Sequence, residues 1–568
     1  MKKYEMIEIQ TNIEKIYKEV FGIPDIAEDT NFFEIGGNSI LAAKVVQKIK
    51  TCLGINLAIQ DIFEYVTVNL LISYIAKIYN EKTKMEEERY CNEETKEAFE
   101  LTEIQKAYLI GRQGITGEGK VASHYYVELE CETVDILRLE EAWNVVVVRQ
   151  PALRTIIDVK AMKQKILTRV QDYKIELLDF EEDLKGFYEL RRDMEDQVLD
   201  ISRWPVFDIR VSKLKDKFRI HVSMDNMILD GTAICAVLDE WNKLYKGEVL
   251  KSDIGKKTFK DYVNYLKTLE LSSEYSMAQE YWNKKIVNMP PRPELPLLNK
   301  NVNGEFYRLS TVLQKEKWNV LKMLSAKYGI TPSNVLLTSF SEVLYRWGKE
   351  NKFTINLTIN KKALLDSGYA KVLGEFTDTI LVEVNAGKKR NFIEKCKSIQ
   401  NELLNNLKYS SYNGVAVQRD WTKEHGFLMG TAFPIVFTSL LGTADLLDMP
   451  GKISYGLTQT PQVWLDYQVS EIAGKLYLNW DVLRGKYDDG VIAQMFSCYL
   501  DSLEKMTDRR FWETPQKNHI GNFQSSLPKE DRDATLIKEE SLYKGFERSY
   551  LKNPDKIAII TPKGQYTY

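Results

Sequence analysis

The sequence predicts a multidomain chain, a small four-helix bundle followed by a larger two-lobed α/β region. Three observations carry this. The 568 residues exceed what one hydrophobic core organises, at about 100–200 residues per domain. The first 80 residues show apolar spacing of helical period, broken by Gly and Pro. From about 101 to 515, strand-like runs such as HYYVELE, KFRIHVSM, FTINLTI and KLYLNWDV alternate with long helical stretches, the pattern of α/β layers.

The elements follow in order. Ile7, Ile13, Ile16 and Val20, with Phe21 beside them, mark a first amphipathic helix. A loop with Gly22, Pro24, Gly36 and Gly37 separates it from a second helix over about 39–50, whose apolar side is Leu41, Val45, Val46 and Ile49. A short turn at 61–65 and a last helix over 69–79 complete a unit of residues 1–80. Residues 81–97 read as a linker, within a 20-residue stretch (81–100) holding 12 charged side chains. The α/β region spans 98–515, with lobes of about 98–285 and 286–515 and a break near the prolines at 290–296. A polar linker covers 516–535. The tail 536–568 opens a helix and a strand and is too short to close a core, so it reads as the truncated start of a further domain.

Composition narrows the function. Lys+Arg 78 against Asp+Glu 81 gives a net charge of -3, with no support for a nucleic-acid binder held by phosphate contacts. No apolar run reaches about 18 residues, so no membrane helix is expected. The first residues lack the apolar stretch of a secretory signal. The six cysteines, at 52, 91, 131, 235, 396 and 498, make no CxxC; neither a disulfide scaffold nor a metal site is expected, and a cytoplasmic protein fits. Only four histidines occur, few for acid–base chemistry.

Two segments suggest chemistry by themselves. In DTNFFEIGGNSILAAKVV, Gly36 and Gly37 permit a tight loop, and Ser39 stands at a helix start. There its hydroxyl is either a plain N-cap or the attachment point of a phosphate stabilised by the helix end. The following Ile40 and Leu41 exclude a nucleophile elbow. Asp225 and Asp230 could form an acid–base pair, although their spacing is weak evidence that they converge. Gly114–Gly119–Lys120 mimics a phosphate-binding loop, but Val121 replaces its Ser/Thr and nucleotide binding is rejected.

Family resemblance extends this reading. Phe32, Phe33, Gly36, Gly37 and Ser39 resemble the attachment site of acyl- and peptidyl-carrier proteins in nonribosomal peptide synthetases, with Asn38 where Asp or His is common. The resemblance implies 4′-phosphopantetheine on Ser39. Residues 101–112, LTEIQKAYLIGR, are similar to the opening signature of heterocyclization domains, the cyclizing branch of the condensation-domain family. Asp225 and Asn226 occupy the two histidine places of the ordinary condensation motif, leaving the DxxxxD form with Asp230. The segments 289–297, 331–347, 373–378, 434–440 and 459–468 resemble the remaining motifs in order. Three residues depart from the family's pattern: Gln150, after Arg149, and Tyr467, after Asp466, each replace a histidine, and Glu375 replaces an aspartate.

The resemblance implies a two-lobed fold like that of chloramphenicol acetyltransferase. It makes Asp466, Thr438 and Gln468 the catalytic candidates, Asp225 and Asp230 structural, and His221 a strand residue without a chemical role. It implies that an acyl donor is condensed with carrier-bound Cys, Ser or Thr, and that the amide is then cyclodehydrated to a thiazoline or oxazoline. Implied partners are a phosphopantetheinyl transferase, downstream adenylation and carrier domains, and a stand-alone acyl or aryl-acid ligase. The tail would open the adenylation domain. The alternatives are amide-forming condensation alone and a non-catalytic docking platform.

Overall fold

The computed structural model describes residues 3–27, 29–35, 39–53, 57, 59–78, 97–114, 119–250, 257–298, 302–348, 350–387, 390–427, 431–442, 450–514, 557–561 and 564–567. Gly36, Gly37, Asn38, almost all of the expected linker 81–97 and the linker 516–535 lie outside them.

Among the described residues the N-terminal region has four helices: α1 (Lys3–Phe21), α2 (Ser39–Leu53), α3 (Ile59–Glu64) and α4 (68–78). The apolar stripes converge on Ile13, Ile16, Val45, Ile49, Ile62, Leu71 and Ile75, all fully or almost fully buried. Two differences from the sequence reading concern ends. The second helix continues to Leu53, and the expected turn at 61–65 is a short helix, because Ile62 buries into the bundle. Phe32 enters the core, in edge contact with Tyr17 and Phe21, and its N–H donates to the Val66 carbonyl at 2.8 Å. That anchors the loop leading to Ser39.

The larger region begins with α5 (Glu103–Arg112), opened by a Thr102–Gln105 capping box. Its first sheet contains β1 (His124–Cys131), β2 (Glu176–Asp179), β3 (Phe207–Leu214) and β4 (Lys217–Asp225), backed by α6 (Ile136–Arg149) and α7 (Gly231–Lys246). Trp143, Trp241 and Phe207 interlock there, with ring centroids 4.9–5.1 Å apart.

The second sheet contains β5 (Phe306–Leu313), β6 (Lys352–Asn360), β7 (Thr377–Asn385), β8 (Ile435–Ser439), β10 (Leu465–Ile472) and β11 (Lys475–Leu483), in the order β7-β6-β8-β10-β11-β5. Helices α8 (Pro332–Trp347) and α9 (Asp489–Lys505) cover one face through Phe340 and Tyr499, which pack on Tyr467 and Trp480.

One strand is not anticipated by the division at 285/286. Strand β9 (Lys452–Gln459) leaves the second lobe and pairs antiparallel with β1, giving the first sheet the order β9-β1-β4-β3-β2. A boundary drawn at one point in the sequence cannot contain such a crossover. Strands Ile557–Thr561 and Gly564–Thr567 pair antiparallel in a separate unit. Among the described residues, no helix is long and apolar enough to cross a membrane.

Candidate active site

A cleft of about 600 Å³ lies between the lobes. The first lobe contributes Tyr125, Asn226 and Asp230, and the second contributes Thr438, Asp466 and Gln468.

Strand geometry brings the last three together. Strands β8 and β10 run parallel, with Thr438 opposite Gln468 and Val436 opposite Asp466. Asp466 and Gln468 are two residues apart and share one face of β10. Thr438 Oγ1 donates to Asp466 Oδ1 at 3.0 Å, and Gln468 Nε2 donates to Asp466 Oδ2 at 2.7 Å. Burial pushes the Asp466 carboxyl up to about 7; the Gln468 bond opposes this, and the Asp481 charge adds to it. A buried carboxyl with that proton affinity both accepts and releases protons near neutral pH.

Tyr467 points to the opposite face. It is fully buried against Phe340 and Trp480 and hydrogen-bonds Tyr499. Its departure from histidine therefore changes the core beneath the sheet, not the cleft. Gln150 Nε2 and Arg149 Nε each donate to Glu240, at 2.5 Å. Gln150 does not line the cleft.

Asp225 and Asp230 are not a facing acid–base pair. Asp225 is fully buried, paired with Arg112, and accepts the Met227 N–H at 3.0 Å. Burial raises its carboxyl and Arg112 opposes the rise. Asp230 caps α7, accepting Ala233 N–H at 2.8 Å and Thr232 Oγ1–H at 2.6 Å on Oδ1. Its Oδ2 accepts the Phe376 N–H at 3.1 Å and Asn360 Nδ2 at 3.4 Å. One carboxylate thus ties a helix start in the first lobe to a strand end and loop in the second. Glu375, beside that loop, is buried, and its Oε1 accepts the Thr377 N–H at 2.7 Å.

His221 lies in β4, fully buried, with Nε2 2.7 Å from Ser212 Oγ and Nδ1 2.7 Å from Tyr126 Oη. Burial lowers it to about 4, so it is neutral. Among the described residues, no histidine lines the cleft.

The sequence reading missed Arg308 and Asp481. Arg308 in β5 forks onto Asp481 in β11, with Nε and Nη2 each 2.6 Å from a carboxylate oxygen. Asp481 sits opposite Asp466 in the ladder, and Arg308 opposite Asp481. The available signal was slight: in KLYLNWDVL the two-residue period puts Asp481 on the mixed polar face with Tyr477 and Asn479, opposite the core-facing Trp480.

Ser39 is the first residue of α2; its side chain lies outside the described residues. The N-terminal end of a helix carries the positive end of its dipole, which suits a phosphate, so the position fits a phosphopantetheine arm.

Residues 95–510 match the model described as the condensation domain. The chain belongs to the condensation-domain family. Residues 12–75 match the phosphopantetheine attachment site, so the condensation domain is preceded by a carrier region whose cofactor is 4′-phosphopantetheine. Bacitracin synthase 1 of Bacillus licheniformis is 29% identical over 97% of this chain, which spans 11% of that protein. Phenyloxazoline synthase MbtB of Mycobacterium sp. (strain MCS) is 27% identical over 83% of this chain, which spans 41% of it. The chain thus spans a minority of the length of these curated relatives. Among solved structures, the EpoB NRPS cyclization-docking bidomain of Sorangium cellulosum superposes with a TM-score of 0.68, at 27% identity over 78% of this chain and 93% of that one. The carrier-plus-condensation organisation is that of a nonribosomal peptide synthetase.

Proposed function

We propose that this condensation domain forms an amide and then cyclodehydrates it to a thiazoline or oxazoline. The single observation behind the reading is Asp466, buried at the cleft with Thr438 and Gln468 on its two oxygens. The names of two relatives, a phenyloxazoline synthase and a cyclization bidomain, support the same reading.

The phosphopantetheine arm supplies a thiol that holds an acyl group as a thioester, at Ser39 in this chain. In the first half-reaction the amine of an acceptor Cys, Ser or Thr attacks an acyl thioester. A C–N bond forms, the C–S bond breaks, and the amine proton goes to the departing thiolate. A thioester is already activated, so holding the two groups in one cleft supplies much of the rate. This step does without an imidazole in the cleft.

The second half-reaction is harder, because an amide carbonyl is a poor electrophile. The side-chain S–H or O–H gives its proton to Asp466 as its heteroatom bonds to the carbonyl carbon. Asp466 passes that proton to the carbonyl oxygen, now a hydroxyl. Ionised again, Asp466 takes the N–H proton and delivers it to that hydroxyl; the C–O bond breaks, water leaves and C=N forms. Asp466 ends in its starting state. While ionised, it accepts from the Thr438 hydroxyl. Once protonated on Oδ1, it donates to Thr438 Oγ1 and frees the threonine hydrogen to hold the substrate oxygen.

Residues 1–80 serve as the donor carrier and 98–515 as the cyclizing domain; the tail from 536 opens an adenylation domain. A phosphopantetheinyl transferase, the downstream adenylation and carrier domains, and a stand-alone acyl or aryl-acid ligase are the partners. Product mass tests the reading. A donor–cysteine product lighter by one water supports cyclization, and a linear amide as the only product refutes it.

A further inference from the structure

Beneath the candidate site, next to Asp466, lies an ion pair that the proposed chemistry does not use. Arg308, Asp481 and Asp466 stand side by side on three neighbouring strands. Neither Arg308 nor Asp481 lines the cleft. Asp481 is fully buried and accepts three hydrogen bonds: two from the Arg308 fork and one from the Thr458 N–H at 3.0 Å. Arg308 Nη2 also reaches Gln468 Oε1 at 3.3 Å and Thr458 Oγ1 at 3.4 Å.

These contacts decide which way the Gln468 amide faces. A guanidinium only donates, so the Gln468 atom beside Arg308 must be oxygen. The amide nitrogen is then turned to Asp466 Oδ2. With an N–H donor on Oδ2, the proton that Asp466 gains goes to Oδ1, beside Thr438. The charge follows the same logic. The fork makes Arg308 and Asp481 a neutral unit, so the arginine does not hold Asp466 permanently ionised.

We propose that Arg308, clamped by Asp481, is a positioning residue that directs the exchangeable proton of Asp466 to the oxygen beside Thr438. The inference rests on the acid–base reading of Asp466. Groups that bear on Asp466 from other elements are Tyr108 of α5, whose hydroxyl burial keeps neutral, and Tyr125 of β1, which sits beside Arg308 and Asp481. Neither carries a charge, so beyond burial and its own hydrogen bonds the charges that act on Asp466 are those of Asp481, which raises it, and Arg308, which opposes the rise.

The test uses the whole chain. Ser39 is loaded from benzoyl-coenzyme A by a phosphopantetheinyl transferase, and L-cysteinyl-S-N-acetylcysteamine is the acceptor. The proton on Asp466 is followed without catalysis, by the protonated-carboxyl infrared band that disappears in Asp466→Asn. In Asp481→Asn the arginine charge is no longer balanced. The band should titrate at lower pH, by about one pH unit or more, and the matching limb of the ring-closure profile should move with it. Combining Arg308→Gln with Asp481→Asn removes both charges and should return the titration toward the parent. Arg308→Lys keeps the charge balance but not the fork. It should titrate like the parent and lose ring closure at every pH, with amide formation retained.

A folded Asp481→Asn that titrates like the parent, or a double variant that titrates like the single one, overturns the proposal. If Asp481→Asn does not fold, Arg308→Lys decides, and ring closure at the parent rate there overturns it. If the band moves as expected and dehydration does not follow it, the positioning pair stands and the acid–base role of Asp466 falls.

Discussion

Gly111 of α5 packs directly against Pro461, the residue two positions after the crossover strand β9. A methyl group at 111 would fall well inside contact distance of the proline ring. This meeting gives a reason for glycine in LTEIQKAYLIGR and fixes how the crossover rests on the first lobe. Gly111→Ala should therefore cost about 1–3 kcal/mol through overpacking, read as a lower melting temperature. Unchanged melting would mean that the junction opens freely.

The two half-reactions should separate at Asp466. Asp466→Asn should still form the amide while the dehydrated product drops by about 10²–10⁴-fold, measured by mass spectrometry of the products. Thr438→Ala should show the same split less severely, because water can replace a hydroxyl. Thr438→Ser should recover activity if the hydroxyl matters. Equal loss of amide and ring would contradict the assigned roles.

Asp466 should also leave a mark on stability. Its folded proton affinity, about 7 against an ordinary value of 3.8, lies above the unfolded one. The parent is therefore relatively most stable at low pH on this account, and loses that stability as pH rises from about 4 through 7. The full loss is at most about 4 kcal/mol, at 1.36 kcal/mol per pH unit. Asp466→Asn lacks this term, so denaturant unfolding should show it gaining on the parent as pH rises. A constant difference across pH 4–8 would exclude a raised proton affinity.

Asp230→Ala strips the cap from α7 and leaves the Phe376 N–H without its acceptor. A loss of about 1–3 kcal/mol is expected, seen in thermal melting. A variant that melts like the parent yet makes no product would give Asp230 a chemical role instead.

Loading should depend on one hydroxyl. Intact-protein mass after incubation with coenzyme A and a transferase should rise by one phosphopantetheine arm, and Ser39→Ala should not shift. An arm on the alanine variant would move the attachment site elsewhere.

Much of this was legible in the sequence because it is local. Helical spacing marks the core of the N-terminal bundle, since a stripe such as Ile13, Ile16, Val45 and Ile49 must be buried wherever the helices pack. The ordered segments around Thr438 and Asp466 point to the residues that meet, and the two-residue strand period puts Asp466 and Gln468 on one face and Tyr467 on the other. Tertiary structure decided the rest. Arg308 reaches Gln468 only because β5, β11 and β10 lie in adjacent register, far apart in the chain. Strand β9 joins the first sheet because backbone pairing at an open sheet edge does not depend on sequence distance. The proton affinity of Asp466 comes chiefly from burial between the lobes. Local residue patterns encode which face a side chain takes, whereas desolvation and charge neighbours exist only once distant strands have assembled.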